Sequence, residues 1–292
     1  MVYTVENEAV RLSAEDRGAQ LASLVLKETG REYLWQGSRQ YWPERAINLF
    51  PICGRLWGGK YELGGREYRM DIHGFAKDSA FTLAEKGEGT LAFELTQSEE
   101  TLAAYPFRFL LRVEYALRGS EAIVRYTVRT TGDGEMIYTL GGHPGFNVPI
   151  DPAGKFEDCT LTFGAPCRAR KLRIGNTGYM LGGTEAWDLP DGRSVRLDHA
   201  MFDEDAVFLT GMPDSVTLRQ GTDGPFVTVS YPGMPYLGLW HTPRTQAPFL
   251  CIEPWAGLPS DEGAVDDLAV KRSMQRLLPG GESTCGYSIR IG

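Results

Sequence analysis

Two of the four histidines in this 292-residue chain stand where a ligand has reason to approach. His143 lies in Gly141-Gly142-His143-Pro144-Gly145-Phe146-Asn147, directly after the apolar run Met136–Leu140. The glycines predict a sharp turn there, with a backbone that a ligand reaches closely. His73 closes a strand-like run in Asp71-Ile72-His73-Gly74-Phe75. An imidazole titrates near working pH and serves as a general acid or base; satisfied by hydrogen bonds in a turn, it is only structural. Glu253 follows four apolar residues in Phe249-Leu250-Cys251-Ile252-Glu253-Pro254-Trp255. Burying a carboxylate is costly unless it is paired or its pKa moves, so Glu253 is a candidate acid/base group. An ion pair with an arginine such as Arg55 is the structural alternative.

Four further residues have the right chemistry to hold a sugar-like ligand. Arg55, in Pro51-Ile52-Cys53-Gly54-Arg55-Leu56-Trp57, carries a planar fork of donors that suits vicinal hydroxyls, and suits a salt bridge equally well. Asp205 opens the apolar run Ala206-Val207-Phe208, although the acidic triplet Asp203-Glu204-Asp205 alone reads as a solvated loop. Trp240 and Trp255 are suited to stacking on the apolar face of a sugar ring, or to filling a core.

The elements that must position these groups are strands. Thr90–Thr96, Arg108–Leu117 and Ala122–Val128 alternate apolar with polar residues, the period of a half-buried strand. Gly64-Gly65 separates Lys60–Leu63 from Arg66–Met70, Gly119-Ser120 separates the two longest runs, and Gly221–Gly224 joins Ser215–Arg219 to Phe226–Tyr231. Helix is predicted only over Ser98–Ala104, capped by Ser98, and Glu262–Leu268. Asp151–Gly192 reads as long loops with one apolar run at Cys159–Phe163. No stretch reads as a linker, so residues 1–292 are expected to form a single all-β domain. A chain of this kind must hide its sheet edges, and a large antiparallel β-sandwich does so.

Composition narrows the partners. With 42% hydrophobic and 23% charged residues the chain is globular, and its net charge of −8 without a basic cluster argues against nucleic acid. No apolar run approaches a membrane span, and the first ten residues lack the pattern of a signal peptide. Five cysteines without a CxxC pair suggest reduced thiols and a cytoplasmic location. The absence of P-loop, GxGxxG, GxSxG and HExxH motifs argues against nucleotide-dependent and serine-hydrolase chemistry.

Taken in order, Pro51-Ile52-Cys53-Gly54-Arg55-Leu56, His73-Gly74-Phe75, Gly142-His143-Pro144-Gly145-Phe146-Asn147 and Ile252-Glu253-Pro254-Trp255 resemble the aldose 1-epimerase family. More narrowly, the set resembles the LacX-like branch of the galactose-mutarotase-like proteins. The resemblance spans nearly the whole chain. It implies the galactose mutarotase-like supersandwich and interconversion of the α and β anomers of an aldohexose, with no required cofactor or metal and as a monomer or homodimer. By motif, it makes Glu253 the general base and His143 the general acid, with Arg55 and His73 binding the sugar. The family's hydroxyl-holding aspartate falls in Leu197–Phe208; Asp-Ala-Val-Phe fits best at Asp205, while Asp198, followed by His199, is the alternative. A preference for galactose does not carry over, because the longer sugar-specific loops of dedicated galactose enzymes are missing here.

Other functions remain open on the sequence. One is a non-catalytic carbohydrate-binding or sugar-sensing protein on the same fold. A second is a metalloenzyme whose ion is held by His73, His143 and Glu253. A third is a hexose-6-phosphate 1-epimerase, which needs cations such as Arg39, Arg45 or Lys77 at the rim of the site.

Overall fold

The computed structural model describes every residue from Met1 to Gly292, and its elements are almost all strands. Two large antiparallel sheets dominate. One has nine strands and contains the long hairpin Phe109–Arg118 with Glu121–Thr130, flanked by Thr90–Thr96 and the C-terminal strand Glu282–Ile291. The other has seven strands: β1 (Ala46–Leu49), β2 (Gly141–Asn147), β3 (Arg170–Ile174), β4 (Met180–Ala186), β5 (Val207–Thr210), β6 (Tyr236–Trp240) and β7 (Phe249–Trp255). Their order across the sheet is β4-β3-β5-β6-β7-β2-β1. Smaller sheets of four, three and two strands complete the fold.

The period-two pattern sorts the residues of the seven-stranded sheet onto two faces. Ala46, Val207, Leu209, Leu237, Leu239, Leu250 and Ile252 join the main core, together with inward residues of the nine-stranded sheet such as Val113, Val124 and Val229. Their alternates Ile47, Leu49, Phe208, Phe249, Cys251 and Trp255 build a second, smaller apolar cluster on the opposite face. That second face carries the candidate site. Strand β7 is buried along its whole length, Glu253 included. Burial of its large apolar side chains contributes about 1.5–3 kcal/mol each. Four such residues, Phe249, Leu250, Ile252 and Trp255, together outweigh the penalty of several kcal/mol for one buried carboxyl.

Three expectations from the sequence are corrected. Gly141–Asn147 is not a turn but strand β2, bonded on both sides to β7 and β1. Its glycines answer a packing demand: a Cβ at Gly142 would stand 2.4 Å from the Tyr287 ring, and one at Gly145 3.0 Å from the Trp42 ring. Asp151–Gly192 holds more strand than expected: besides the run Cys159–Phe163 it contains β3 and β4. The pattern of β3 and β4 is hard to read because most of their residues are exposed or half-buried near the sheet edge. Glu262–Leu268 is not helical; Asp266–Asp267 adds to the hairpin Lys60–Leu63/Arg66–Arg69 as a short parallel strand. The helix Glu99–Ala104 does form, with the Ser98 hydroxyl accepting from Thr101 N at 3.1 Å.

Candidate active site

Strand register assembles the centre of the site. Phe208 on β5 pairs with Gly238 on β6, and Gly238 pairs with Glu253 on β7. The pairs Gly141–Trp255 and Gly145–Cys251 on either side bring His143 of β2 level with Glu253, and His143 pairs with Ile47 on β1. One rank of the sheet therefore reads Phe208, Gly238, Glu253, His143, Ile47. Glycine at 238 makes the carboxylate possible, because a Cβ there would lie 3.1 Å from Glu253 Oε2. His143 Nε2 and Glu253 Oε2 are 3.3 Å apart, and both side chains are buried.

This pair forms part of the wall of a cavity of about 380 Å³ whose lining includes Trp42, Glu44, Arg55, His73, Lys77, Asp205, Trp240 and Trp255. Arg55, His73, His143, Asp205, Trp240, Trp255 and Glu253, all singled out from the sequence, meet there. His143 Nδ1 and Glu253 Oε1 have no hydrogen-bond partner in the protein. Buried polar atoms are nearly always satisfied, so orphaned atoms in residues that line a cavity point to a ligand that completes them.

Loops supply the rest. His73 adopts φ +66° and Gly74 φ +74°; a Cβ at Gly74 would stand 2.3 Å from Phe50 O, so only glycine lets the loop pass. His73 Nδ1 accepts a hydrogen bond from Gly54 N at 3.1 Å. A neutral ring accepting at Nδ1 carries its proton on Nε2, leaving that N–H as the ring's donor. Asp205, at φ +90°, is fixed by Trp240, whose Nε1 donates to its Oδ1 at 3.1 Å. Arg55 is exposed and has no ion pair, so the salt bridge with Glu253 weighed from the sequence does not form. Asp198 faces elsewhere: its Oδ1 accepts from Ala200 N at 2.9 Å, and it lines a separate cavity with Glu157 and Asp203. Of the two candidate aspartates, only Asp205 reaches the site.

Burial sets the electrostatics. It lowers the His143 pKa to about 3 and, with a smaller effect from the positive field of neighbours, depresses His73. Burial first, then the nearby Asp205, pushes Glu253 well above the carboxylate range, with Trp255 opposing weakly. Burial also raises Asp205. These directions favour a neutral pair holding one proton between His143 and Glu253.

For a metal, the atoms close enough together belong to His143, Cys251 and Glu253, within 4.8 Å of one another. His73 is not among them, so the triad weighed from the sequence is not assembled. Cys251 fits such an ion poorly, because burial and the neighbouring Glu253 both push its thiol far from the thiolate a metal needs. Among the cations weighed for a phosphate, Lys77 lines the cavity, whereas Arg39 and Arg45 do not, and Arg45 instead pairs with Glu15 at 2.7 Å. Trp42 and Glu44 were not singled out from the sequence. They come from a loop before β1, and nothing in Tyr41-Trp42-Pro43-Glu44 marks it as part of a site.

The chain belongs to the aldose 1-epimerase family, whose model matches residues 1–263. Protein LacX (chromosomal) of Lactococcus lactis subsp. lactis is 33% identical over 301 aligned residues, covering 100% of this chain and 99% of that protein. A galactose mutarotase related enzyme from Lactobacillus acidophilus superposes with a TM-score of 0.94 at 30% identity, covering 100% of this chain and 97% of that one. A galactose mutarotase-like protein from Lactobacillus casei gives 0.92 at 31% identity, with both chains covered completely. Family and neighbours support a sugar epimerase or mutarotase type of function, an isomerase acting on a sugar.

Proposed function

We propose that the whole chain acts as one aldose 1-epimerase domain, interconverting the α and β anomers of a hexose with Glu253 and His143 as the acid/base pair. The observation that carries this reading is the buried 3.3 Å contact between His143 Nε2 and Glu253 Oε2 in a cavity wall, with one atom of each side chain unpartnered. A purely sugar-binding cavity has no need of an acid and a base at one point.

Mutarotation needs two proton transfers around C1. Glu253 removes the proton of the C1 hydroxyl while His143 gives a proton to the ring oxygen. The C1–ring-oxygen bond breaks and the aldehyde forms. Rotation about C1–C2 and reversal of both transfers give the other anomer. The reactive state, carboxylate with imidazolium, differs from the neutral pair by one proton moved across 3.3 Å. Ring opening returns the enzyme to protonated Glu253 and neutral His143, the state that burial favours. Each positioned proton transfer is typically worth about 10²–10⁴-fold.

His73 Nε2–H and Arg55 donate to sugar oxygens, and Asp205, steadied by Trp240, accepts from hydroxyls. Trp42, Trp240 and Trp255 offer apolar faces to the ring. These contacts hold the open aldehyde while it swivels. The test is anomer exchange of freshly dissolved α-glucose and α-galactose, followed by polarimetry or NMR. Acceleration above the buffer rate is expected for at least one of them; a rate equal to buffer for both rejects this reading.

A further inference from the structure

We propose that Glu44 is a specificity-determining residue of this site: beside Lys77 it selects a sugar that presents a free hydroxyl to this wall, and rejects one that presents a phosphate. The inference rests on the cavity being a sugar site, as proposed above.

The charges in the wall come from five side chains: Glu44, Asp205 and Glu253 against Arg55 and Lys77. Glu253 belongs to the acid/base pair, and Asp205 is held by Trp240. Glu44 is half-buried and makes no ion pair; Trp42 approaches it as a hydrogen-bond donor, and a carboxylate has room for several more. Burial raises its pKa, while Lys77 is close enough to counter that rise. Lys77 shares the lining with Arg55, and its charge is already engaged. Its Nζ meets Asp78, and Asp78 in turn bonds Arg17 at 3.0 Å.

A hydroxyl and a phosphate make opposite demands on this wall. A hydroxyl donates to Glu44 and accepts from Lys77 Nζ, so both partners are used. A phosphate near pH 7 has little or no proton to donate and needs forked, unshared cations to offset its desolvation. Here it would meet Glu44, with the nearby ammonium already committed to Asp78. Arg55 is not bound to any acid, but it lies against Gly178 beside Asp205, whose carboxylate its charge favours.

The experiment compares glucose with glucose 6-phosphate on wild type and Glu44→Gln, measuring equilibrium binding by calorimetry and kcat/KM for anomer exchange by NMR. Melting curves of both proteins establish that they are folded. Wild type is expected to prefer the free sugar in both readouts, and Glu44→Gln to narrow the ratio by about tenfold, the effect of removing one nearby charge. Equal handling of the two sugars by wild type, or an unchanged ratio in Glu44→Gln, overturns the proposal. If the binding preference behaves as expected but no exchange is accelerated, the epimerase reading fails and the role of Glu44 stands.

Discussion

The four histidines divide into two pairs that look alike in outline and differ in what they leave undone. His73 and His143 meet edge to face with ring centroids 5.5 Å apart, and His199 and His241 meet the same way at 5.0 Å. All four rings are buried, and burial lowers all four pKa values. In the second pair the inner nitrogens are satisfied. His241 Nδ1 donates to Thr242 O at 2.8 Å, which leaves its Nε2 to accept from His199 Nδ1 at 3.1 Å, while Phe156 stacks on His199 at 3.8 Å. In the first pair His143 Nδ1 has no partner, and its Nε2 faces a carboxyl that is itself half-satisfied. Burial and pKa shift therefore do not tell the two pairs apart; unfinished hydrogen bonding in the wall of a cavity does.

The largest effect that sharpens this contrast is expected at the acid/base pair. His143→Gln should slow anomer exchange by about 10²–10⁴-fold while the protein stays folded. Adding Glu253→Gln to it should cost little more, because two groups that work as one unit are far from additive. A double variant that multiplies the two losses would mean that the groups act independently. Next come the residues proposed to hold the sugar. Asp205→Asn and Arg55→Ala should each raise KM by about tenfold, the loss expected for a charged hydrogen bond, with a smaller change in kcat. A large kcat loss with KM unchanged would move them into the chemistry.

The smallest effect on rate is expected at the satisfied pair. His199→Gln should leave exchange within a few-fold of wild type, yet cost about 1–3 kcal/mol in unfolding, since it leaves His241 Nε2 without its donor. The sign of the pH dependence follows from neutral burial. His241 is lowered to about 4 in the fold, against roughly 6.5 in the unfolded chain, so the unfolded state binds the proton first as pH falls. Its contribution to stability is full above about 6.5 and is lost toward 4. Thermal melts from pH 7 to pH 5 should show falling stability in wild type. Replacing both His199 and His241 with Gln should remove about 1–2 kcal/mol of that slope. An unchanged slope would assign it to other groups.

Much of this was legible in the sequence because period-two alternation is a local property. The hairpin Phe109–Arg118/Glu121–Thr130 could be read from its own residues. So could Glu253, since a carboxyl after four apolar residues is conspicuous wherever the strand lies. Strand β2 was misread because glycine and proline serve turns and tight packing alike, and only the rings of Tyr287 and Trp42 show which demand applies here. Glu44 and Gly238 carried no signal. Each matters through a neighbour on another segment: Lys77 and Glu253 respectively. The choice of Asp205 over Asp198 likewise depends on Trp240, 35 positions away in the chain.

The most direct test of the account is two-dimensional NMR exchange between the anomers of glucose and of galactose, with wild type, Glu253→Gln and His199→Gln side by side at equal folded concentration. The account predicts fast exchange in wild type and His199→Gln and a near-buffer rate in Glu253→Gln. Full exchange in Glu253→Gln, or equal losses in both variants, would contradict the claim that the unsatisfied pair does the chemistry and the satisfied pair holds the fold.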